Sequence, residues 1–370
     1  MTSAHTSIER LLAQADIEIG GGDPWDIAVH NDRIFGRVLS GGSLALGESY
    51  MDGWWDCPAL DQLICRLLGA HLDRAIVSPI LVWNTIKGRL FNEGARRVAF
   101  AIANEHYDLG NDLFERMLDA RMTYSCGYWN KAHTLDDAQE AKLDLICRKI
   151  GLKRGDRVLD IGCGWGSFAK FAAEKYGATV VGATVSKEQA ALARERCKGL
   201  PVEIRVQDYR EVDEKFDHIV SVGMFEHVGY KNYRTFFEVA ARCLTDDGLC
   251  LLHTIGNNRS VISNDAWMAK YIFPHGILPS VAQIGRSIEG LFKLEDWHNF
   301  GPDYDRTLLA WFANFDAAWP VLRAKYAERF YRMWKYYLLS CAGAFRARHI
   351  QLWQIVLSKN GVPGGYTSVR

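Results

Sequence analysis

The spacing of apolar residues differs between the two ends of the chain. In the N-terminal part, apolar residues recur every three or four positions, as across 61–75, which is typical of amphipathic helices. From residue 157 onward, short apolar runs alternate with helical periods. The pattern predicts a small, mostly helical N-terminal domain at 1–76, a linker at 77–102 and a larger α/β domain at 103–370.

The α/β pattern predicts most of a parallel sheet. Strands and helices that alternate along a chain are typical of a doubly wound sheet, whose ligands lie at the carboxyl ends of its strands. The predicted strands cover 157–160, 179–184, 202–206, 218–222 and 249–253. A last strand at 349–358 alternates apolar and polar residues, and we predict it at the edge of the sheet, paired with 292–300.

Three glycines separate the first predicted strand from a helix, in the sequence RVLDIGCGWGSFAK at 157–170. Glycine lets the backbone pass close to a ligand, and a helix N-terminus favours a carboxylate or phosphate. A dinucleotide site requires Gly-x-Gly-x-x-Gly and an acidic residue about 20 positions later. Here Ser167 replaces the last glycine of that pattern, and the second strand ends without a carboxylate. Asp160 directly before Gly-x-Gly-x-Gly instead predicts an S-adenosylmethionine site.

Composition narrows the classes of partner and compartment. The 370 residues include 44 Lys and Arg and 44 Asp and Glu, so no overall field favours nucleic acid, and we expect no nucleic-acid partner. Residues 1–20 lack the pattern of a signal peptide, and no apolar run is long enough to span a bilayer. The nine cysteines form no Cys-x-x-Cys pair, so we predict a cytoplasmic protein without a metal cluster or a disulfide framework.

A basic amphipathic stretch at 77–101 allows two interpretations. Aromatic and aliphatic residues alternate there with Lys87, Arg89, Arg96 and Arg97. Such a helix can lie in a membrane interface. It can equally pack on its own domain with its charges in solvent. The sequence leaves both interpretations open.

Several motifs in this order resemble one family. They are YSCGYW, VLDIGCGWG, SVGMFEHVG, LLHTIG, YIFPHGILPS, EDWHNFGPDYDRTL and GAFRARHIQLWQ. Together they resemble the bacterial cyclopropane fatty acid synthases and mycolic acid methyltransferases, over about 43–358. The resemblance implies a class I S-adenosylmethionine-dependent methyltransferase with a Rossmann-like, doubly wound sheet. It also implies methylene transfer to the cis double bond of an unsaturated phospholipid acyl chain, giving a cyclopropane ring.

The resemblance further implies that a bound bicarbonate ion deprotonates a carbocation formed on the lipid. Its ligands would be Cys126, Glu226, His253, the backbone of Ile255, and Tyr304. The residue types agree only in part, because an ionised Glu226 would repel an anion. We therefore expect Glu226 and the ion to share a proton.

The cofactor contacts implied by the resemblance lie at the ends of the predicted strands. They are Tyr124, Ser125, Asp160, Gly162, Gly164, Trp165, Gly166, Thr184, Gln189, Gln207, Asp208 and Tyr209. The aromatic faces of Tyr124, Tyr128 or Trp129 would help to stabilise cationic charge. The expected partners are an unsaturated phospholipid, the cytoplasmic face of the cell membrane as a peripheral contact, and a second copy of the chain in a homodimer, with residues 1–76 as the lipid-binding or dimerisation domain.

Three other functions compete with ring closure. A related methyltransferase would leave a methyl-branched or methylene acyl chain, and another would methylate an amine on a small molecule. A lipid-binding or scaffolding protein with an inactive methyltransferase domain would show a damaged glycine turn or missing base residues. The chain has both features intact, which favours an enzyme.

Overall fold

The structure, a computed structural model, describes residues 3–74 and 110–370. The predicted linker at 77–102 and the basic stretch at 77–101 lie wholly outside these residues. The described helices are α1 (Ser3–Leu12), α2 (Ile34–Met51), α3 (Leu60–Gly69), α4 (Asn111–Met117), α5 (Leu135–Lys149), α6 (Ser167–Phe171), α7 (Lys187–Arg196), α8 (Tyr233–Cys243), α9 (Ala266–Tyr271), α10 (Val281–Ile288), α11 (Pro302–Leu322) and α12 (Glu328–Arg346). The strands are β1 (Ala28–Val29), β2 (Trp55–Asp56), β3 (Arg157–Ile161), β4 (Thr179–Thr184), β5 (Val202–Val206), β6 (Phe216–Val222), β7 (Leu244–Asn257), β8 (Lys293–Asn299) and β9 (Ile350–Ser358).

The described residues form two compact units. The first contains residues 3–74, Ile262–Gly276 and Tyr304–Ile350, and the second contains residues 110–261, Ile277–Asp303 and Gln351–Arg370. The sequence analysis assigned all residues after 102 to the α/β domain. The division differs because α9 packs against α2, α12 packs against α2 and α3, and most of α11 belongs to the same unit.

The second unit is built on a seven-stranded sheet, which confirms the predicted α/β class. The strands lie in the order β5-β4-β3-β6-β7-β9-β8. Parallel pairs join β3 to both β4 and β6, β4 to β5, and β6 to β7. The carboxyl ends of these five strands therefore meet at one edge of the sheet, where the predicted site residues follow them.

Helices cover both faces of this sheet because neighbouring strand residues point to opposite sides. On β3, Leu159 packs in an apolar cluster with Phe236 and Phe237 of α8. The preceding residue, Val158, packs in a second cluster that contains Leu143 of α5 and Phe168 of α6. The alternation gives the doubly wound arrangement that the sequence predicted.

The prediction that 349–358 forms an edge strand was wrong. β9 pairs antiparallel with β8, as expected, but it lies between β7 and β8, so β8 is the edge. The polar positions in β9 suggested solvent exposure, yet Gln354 is fully buried. Its amide group contacts His253, a residue of the candidate site described below.

The first unit is a helical assembly around α12, which packs against α2 and α3. A side chain at Gly343 would approach the carbonyl oxygen of Asp61 to 2.4 Å, so the α12 and α3 backbones are in close contact. Arg346 fixes this contact through ion pairs with Asp61 at 2.6 Å and Asp305 at 2.9 Å. The contact between Asp61 and Arg346 joins the first of the three segments of this unit to the last.

Candidate active site

The glycine turn after β3 adopts the conformation that its composition predicted. Gly162, Gly164 and Gly166 have φ angles of +81°, +53° and +79°, a left-handed region that favours glycine. A Cβ atom at Gly162 would lie 2.5 Å from the Cβ of Met224. A Cβ at Gly164 would meet no atom of residues 3–74 or 110–370 within 4 Å, so these residues leave that side of the turn open.

Asp160 lies at the end of β3, directly before this turn. Its side chain is 2 % exposed, and within residues 3–74 and 110–370 no group forms a hydrogen bond with its Oδ2. Burial raises the pKa of the Asp160 carboxyl to about 7, although the Lys142 ammonium opposes the rise. A buried acceptor without a partner, beside an open glycine turn, fits the polar end of S-adenosylmethionine.

The ends of β4 and β5 bring further predicted cofactor residues together. Thr184 donates from Oγ1 to Oε1 of Gln189 at 3.2 Å, and its carbonyl oxygen accepts from the Gln207 amide at 3.0 Å. Asp208 accepts from Arg210 at 2.6 Å, so its carboxylate is already held by a cation. These residues lie where the fold places a cofactor, and their contacts with it remain a prediction.

The predicted aromatic residues Tyr124 and Trp165 both pack against one ring of α4. The centre of the Phe114 ring lies 5.2 Å from that of Tyr124 and 5.0 Å from that of Trp165. Ser125, the next residue in the chain, is buried, and Tyr209 is partly buried beside Phe236 at 5.5 Å. The aromatic part of the predicted cofactor set therefore has a defined packing.

Glu226 and Ile255 are brought into direct contact. Glu226 lies in a helical turn, Phe225–His227, that follows β6, and Ile255 lies near the end of the neighbouring β7. The Ile255 amide donates to Oε1 of Glu226 at 2.7 Å, whereas Oε2 of Glu226 is buried without a hydrogen-bond partner among the described residues. Burial raises the pKa of Glu226 to about 7, despite these backbone contacts.

His253 occupies the same region, because it pairs with Val222 at the end of β6. Its ring is 1 % exposed, and Nδ1 lies 3.3 Å from the amide nitrogen of Gln354. With that donor at Nδ1, the neutral ring carries its proton on Nε2. No described residue accepts a hydrogen bond from Nε2. Burial, with the nearby Lys142 and Lys149, lowers the pKa of His253 well below 6.5, so the ring is neutral.

The other two predicted anion ligands have different positions. Cys126 is fully buried, and its Sγ donates to the carbonyl oxygen of Gly127 at 3.1 Å. Tyr304 belongs to the first unit, where its ring stacks on Phe345 at 4.5 Å. The structure therefore places four of the five predicted ligands in the second unit, and a shared site with Tyr304 stays a prediction.

Three polar residues of this region were not predicted. Gln139 and Lys142 of α5 are completely buried, and Gln354 of β9 reaches His253. Gln139 donates to the carbonyl oxygen of Ser125 at 2.7 Å. The available signal was an amide and a lysine three positions apart on the face of α5 that also carries Leu143 and Ile146, since such a face is otherwise apolar.

Comparison with known proteins identifies the family. The family model for mycolic acid cyclopropane synthetase matches residues 95–355, which is well over half of the chain. The chain belongs to this family. A cyclopropane-fatty-acyl-phospholipid synthase of Escherichia coli is 55% identical over 361 residues, covering 97% of this chain and 94% of the relative. This similarity, together with the methyltransferase fold, makes the chain an S-adenosylmethionine-dependent methyltransferase.

Two further members of the cyclopropane synthetase family bear on its chemistry. A tuberculostearic acid methyltransferase of Mycobacterium tuberculosis is 33% identical over 389 residues, covering 98% of this chain and 90% of the relative. The crystal structure of the mycolic acid cyclopropane synthase CmaA1 with SAH and CTAB has a TM-score of 0.66 and 35% identity, covering 70% of this chain and 98% of that one. The SAH in that relative supports an S-adenosylmethionine site in this fold.

Replacing Glu226 by Gln is expected to change how stability depends on pH in the cofactor-free protein. Burial raises the pKa of Glu226 from 4.5 to about 7. Between these two pH values the folded chain keeps a proton that the unfolded chain has lost, so the wild-type protein loses stability as the pH rises. Glutamine does not titrate. The variant should therefore gain free energy of unfolding relative to the wild type across this window, by on the order of 2–3 kcal/mol.

Urea unfolding of both proteins at a series of pH values measures this difference. We expect the gain to level off above about pH 7, where the Glu226 carboxyl is ionised in both the folded and the unfolded wild-type chain. A difference between the two proteins that stays constant from about pH 4 to about pH 8 would contradict the raised pKa.

Proposed function

We propose that the protein transfers a methylene group from S-adenosylmethionine to the cis double bond of an unsaturated phospholipid acyl chain and so forms a cyclopropane ring. The observation that carries the proposal is the pair Glu226 and His253. Both are buried, and both have a polar atom without a hydrogen-bond partner among the described residues. Glu226 follows β6, and His253 on the neighbouring β7 pairs with the last residue of β6. The name of the Escherichia coli relative supports the phospholipid substrate.

Glu226 and His253 have the properties required to hold an anion. Bound S-adenosylmethionine would supply an electrophilic methyl group, and a bicarbonate ion would supply the base for ring closure. The Nε2–H group of the neutral His253 ring is a donor for an oxyanion. Glu226, with its pKa raised to about 7, is partly protonated at neutral pH, so it can donate to an anion instead of repelling it. This agrees with the expectation of a shared proton.

Aromatic rings lie beside His253. The centre of the Phe300 ring is 5.9 Å from that of His253 and 5.3 Å from that of Tyr128. A ring face attracts positive charge, by about 0.5–2 kcal/mol depending on desolvation. Tyr128 and Phe300 would therefore help to stabilise a cationic lipid carbon near the base. The alkene is a weak nucleophile, so this wall would also contribute by holding it in position.

A second product is possible within the same reaction. The tuberculostearic acid methyltransferase matches nearly the whole chain, and its name describes methyl transfer and no ring. Such a product would form if the cation on the lipid took up a hydride from a hydride donor instead of losing a proton to close the ring. The product of the reaction therefore has to be measured.

We also propose that the protein binds the cytoplasmic face of a bilayer peripherally and acts as a homodimer. The double bond of a phospholipid lies deep in the membrane, so the enzyme must contact the lipid surface. Among the described residues no helix is long and apolar enough to cross a membrane. Sedimentation with anionic vesicles tests the first proposal, and analytical ultracentrifugation tests the second. Protein that stays in the supernatant, or that sediments as a monomer at micromolar concentration, would contradict the respective proposal.

The deciding experiment is product analysis. Purified protein is incubated with S-adenosylmethionine, bicarbonate and vesicles of a cis-monounsaturated phospholipid, and the fatty-acid methyl esters are analysed by mass spectrometry. We expect a gain of one CH₂ in a product that resists mild hydrogenation of olefins. A product that gains CH₂ and then takes up hydrogen would indicate a methylene acyl chain. A saturated methyl-branched product also resists hydrogenation, but it carries an extra pair of hydrogen atoms, so its mass separates it from the ring.

A further inference from the structure

Lys142 of α5 is a completely buried lysine with a polar contact toward the candidate site. Its side chain is 0 % exposed, and its Nζ donates to Oγ of Ser125 at 2.8 Å. Burying an ammonium group is costly, because the charge loses its hydration. Such a group is retained where its charge or its contacts are used.

A continuous series of contacts leads from Lys142 to the anion ligands. Ser125 precedes Cys126 in the chain, and its Cβ lies 3.7 Å from the position that a Cβ at Gly223 would occupy. The Gly223 amide donates to the carbonyl oxygen of His253 at 2.9 Å. Gly223 also lies three positions before Glu226. Lys142 is therefore part of the layer directly behind the residues proposed to hold the anion.

The charge of Lys142 affects these residues. Burial lowers the pKa of Lys142 to about 8, and the neighbouring Asp119, Cys126 and Asp160 oppose the lowering, so the ammonium remains largely protonated at neutral pH. The same charge helps to lower the pKa of His253. Both observations indicate a positive potential around His253.

Lys149, two turns later on α5, also lowers the pKa of His253, but the groups around its ammonium differ from those around Lys142. Its Nζ lies 3.0 Å from Nδ1 of His298 and 3.7 Å from the carboxylate of Asp296, which Arg370 also contacts. Asp296 therefore offsets part of the charge of Lys149. Carboxylates also lie near Lys142, at Asp119 and Asp160, but the hydrogen-bond acceptor of its Nζ is the neutral hydroxyl of Ser125.

We propose that Lys142 is a positioning residue whose buried ammonium attracts a bicarbonate ion to Glu226 and His253 and orients Ser125 beside Cys126. The inference rests on the proposed function, since it concerns the anion used there. It explains how a pocket that contains a carboxyl group can hold an anion. The positive potential offsets the repulsion from Glu226 whenever that group is ionised.

The test is the affinity for bicarbonate of Lys142→Met, which keeps the length of the side chain and removes its charge. Carbonate-free protein is titrated with sodium bicarbonate against sodium chloride at equal ionic strength. Binding is followed by the rise in Tm and by the line width of ¹³C-bicarbonate in NMR spectra. Removing one buried positive charge near the ion should raise the Kd for bicarbonate by about tenfold or more. The Kd for S-adenosylmethionine should rise less than the Kd for bicarbonate, because the glycine turn is unchanged although Lys142 contacts Ser125 and lies near Asp160.

Two controls separate charge from folding. Lys198→Met removes an exposed lysine and should leave the Kd for bicarbonate unchanged. The double variant Lys142→Met with Asp160→Asn removes both buried charges, so it should fold even if Lys142→Met does not. It should still bind bicarbonate about tenfold or more weakly than Asp160→Asn alone.

The outcomes distinguish this inference from the function on which it rests. Wild-type protein that binds bicarbonate, together with a folded Lys142→Met or double variant of unchanged bicarbonate affinity, would overturn the role of Lys142 alone. Wild-type protein without bicarbonate binding would overturn the bicarbonate site and, with it, this role. A raised Kd in both Lys142 variants would support the inference.

Discussion

Glu226→Gln is expected to lower the turnover of cyclopropane formation by about 10²–10⁴-fold, the range typical for loss of a group that moves or shares a proton. The substitution keeps the size of the side chain and an oxygen that can accept from the Ile255 amide. It removes the ability to exchange a proton with an anion at the neighbouring position. The affinity for S-adenosylmethionine should stay close to that of the wild type, because the glycine turn is unaffected.

The matched control is Glu238→Gln on α8, a side chain that is 52% exposed and pairs with Arg234 at 3.2 Å. An exposed pair within one helix contributes about 0.3–0.5 kcal/mol, so this variant should keep full activity. Turnover is measured by the CH₂ gain of the fatty-acid methyl esters. Retention of more than about a tenth of wild-type turnover by Glu226→Gln would contradict a proton-sharing role.

Gly162→Ala is expected to abolish tight cofactor binding and to destabilise the second unit. The residue has a φ of +81°, which costs a non-glycine residue about 1–2 kcal/mol. The new Cβ would also lie 2.5 Å from the Cβ of Met224, so the turn or the segment before Glu226 must move. Because the site depends on both, we expect the Kd for S-adenosylmethionine to rise by more than about tenfold and activity to fall by at least as much.

Gly155→Ala separates the effect of the clash from that of the backbone angle. Gly155 lies in the turn that precedes β3 and has a φ of +89°, and a Cβ there would meet no atom of the described part of the chain within 4 Å. The strained backbone angle should lower the free energy of unfolding of the Gly155→Ala variant by a similar amount. Its affinity for S-adenosylmethionine should stay that of the wild type. Calorimetric titration with S-adenosylmethionine and urea unfolding measure the two quantities. Equal cofactor affinities for the two variants would show that contact with Met224 is unimportant.

The strands that the sequence predicted best belong to the parallel part of the sheet. The predictions at 179–184 and 202–206 match β4 and β5 residue for residue, because each is a short run bounded by turn residues. The predicted strand at 249–253 extends as β7 to Leu244–Asn257. Its N-terminal extension contains Asp246 and Asp247, which read as a turn. Only pairing with β6, seen at Phe216 and Leu244, shows that the strand begins earlier.

The position of β9 and the composition of the first unit could not be predicted in the same way. A buried polar residue such as Gln354 has the same pattern as an exposed one, and only its partner His253 distinguishes the two cases. Similarly, the apolar faces of α11 and α12 show that these helices are packed, but not which helices they pack against. Both the position of β9 and the composition of this unit depend on contacts between residues that are far apart in the sequence.

For the site, the motifs predicted which strand ends carry polar residues, and the Ile255 amide contacts Glu226, while the roles of these residues stay a prediction. The motifs did not include Gln139 or Lys142, because a resemblance draws attention to ligands and not to the layer behind them. A lysine on an apolar helix face remains ambiguous in a sequence, since it can also extend to solvent. Its complete burial becomes evident only in the folded chain.

The construction of the first unit from three separate segments has a consequence for biosynthesis. Arg332 of α12 bonds the carbonyl oxygen of Tyr50 across 282 residues of sequence. During translation, α1–α3 therefore leave the ribosome long before α12 is made. Their apolar faces stay uncovered until then. Contacts of such long sequence separation form slowly and leave chains prone to aggregation. We expect this unit to be the last part of the protein to fold and the part for which a newly made chain most needs a chaperone.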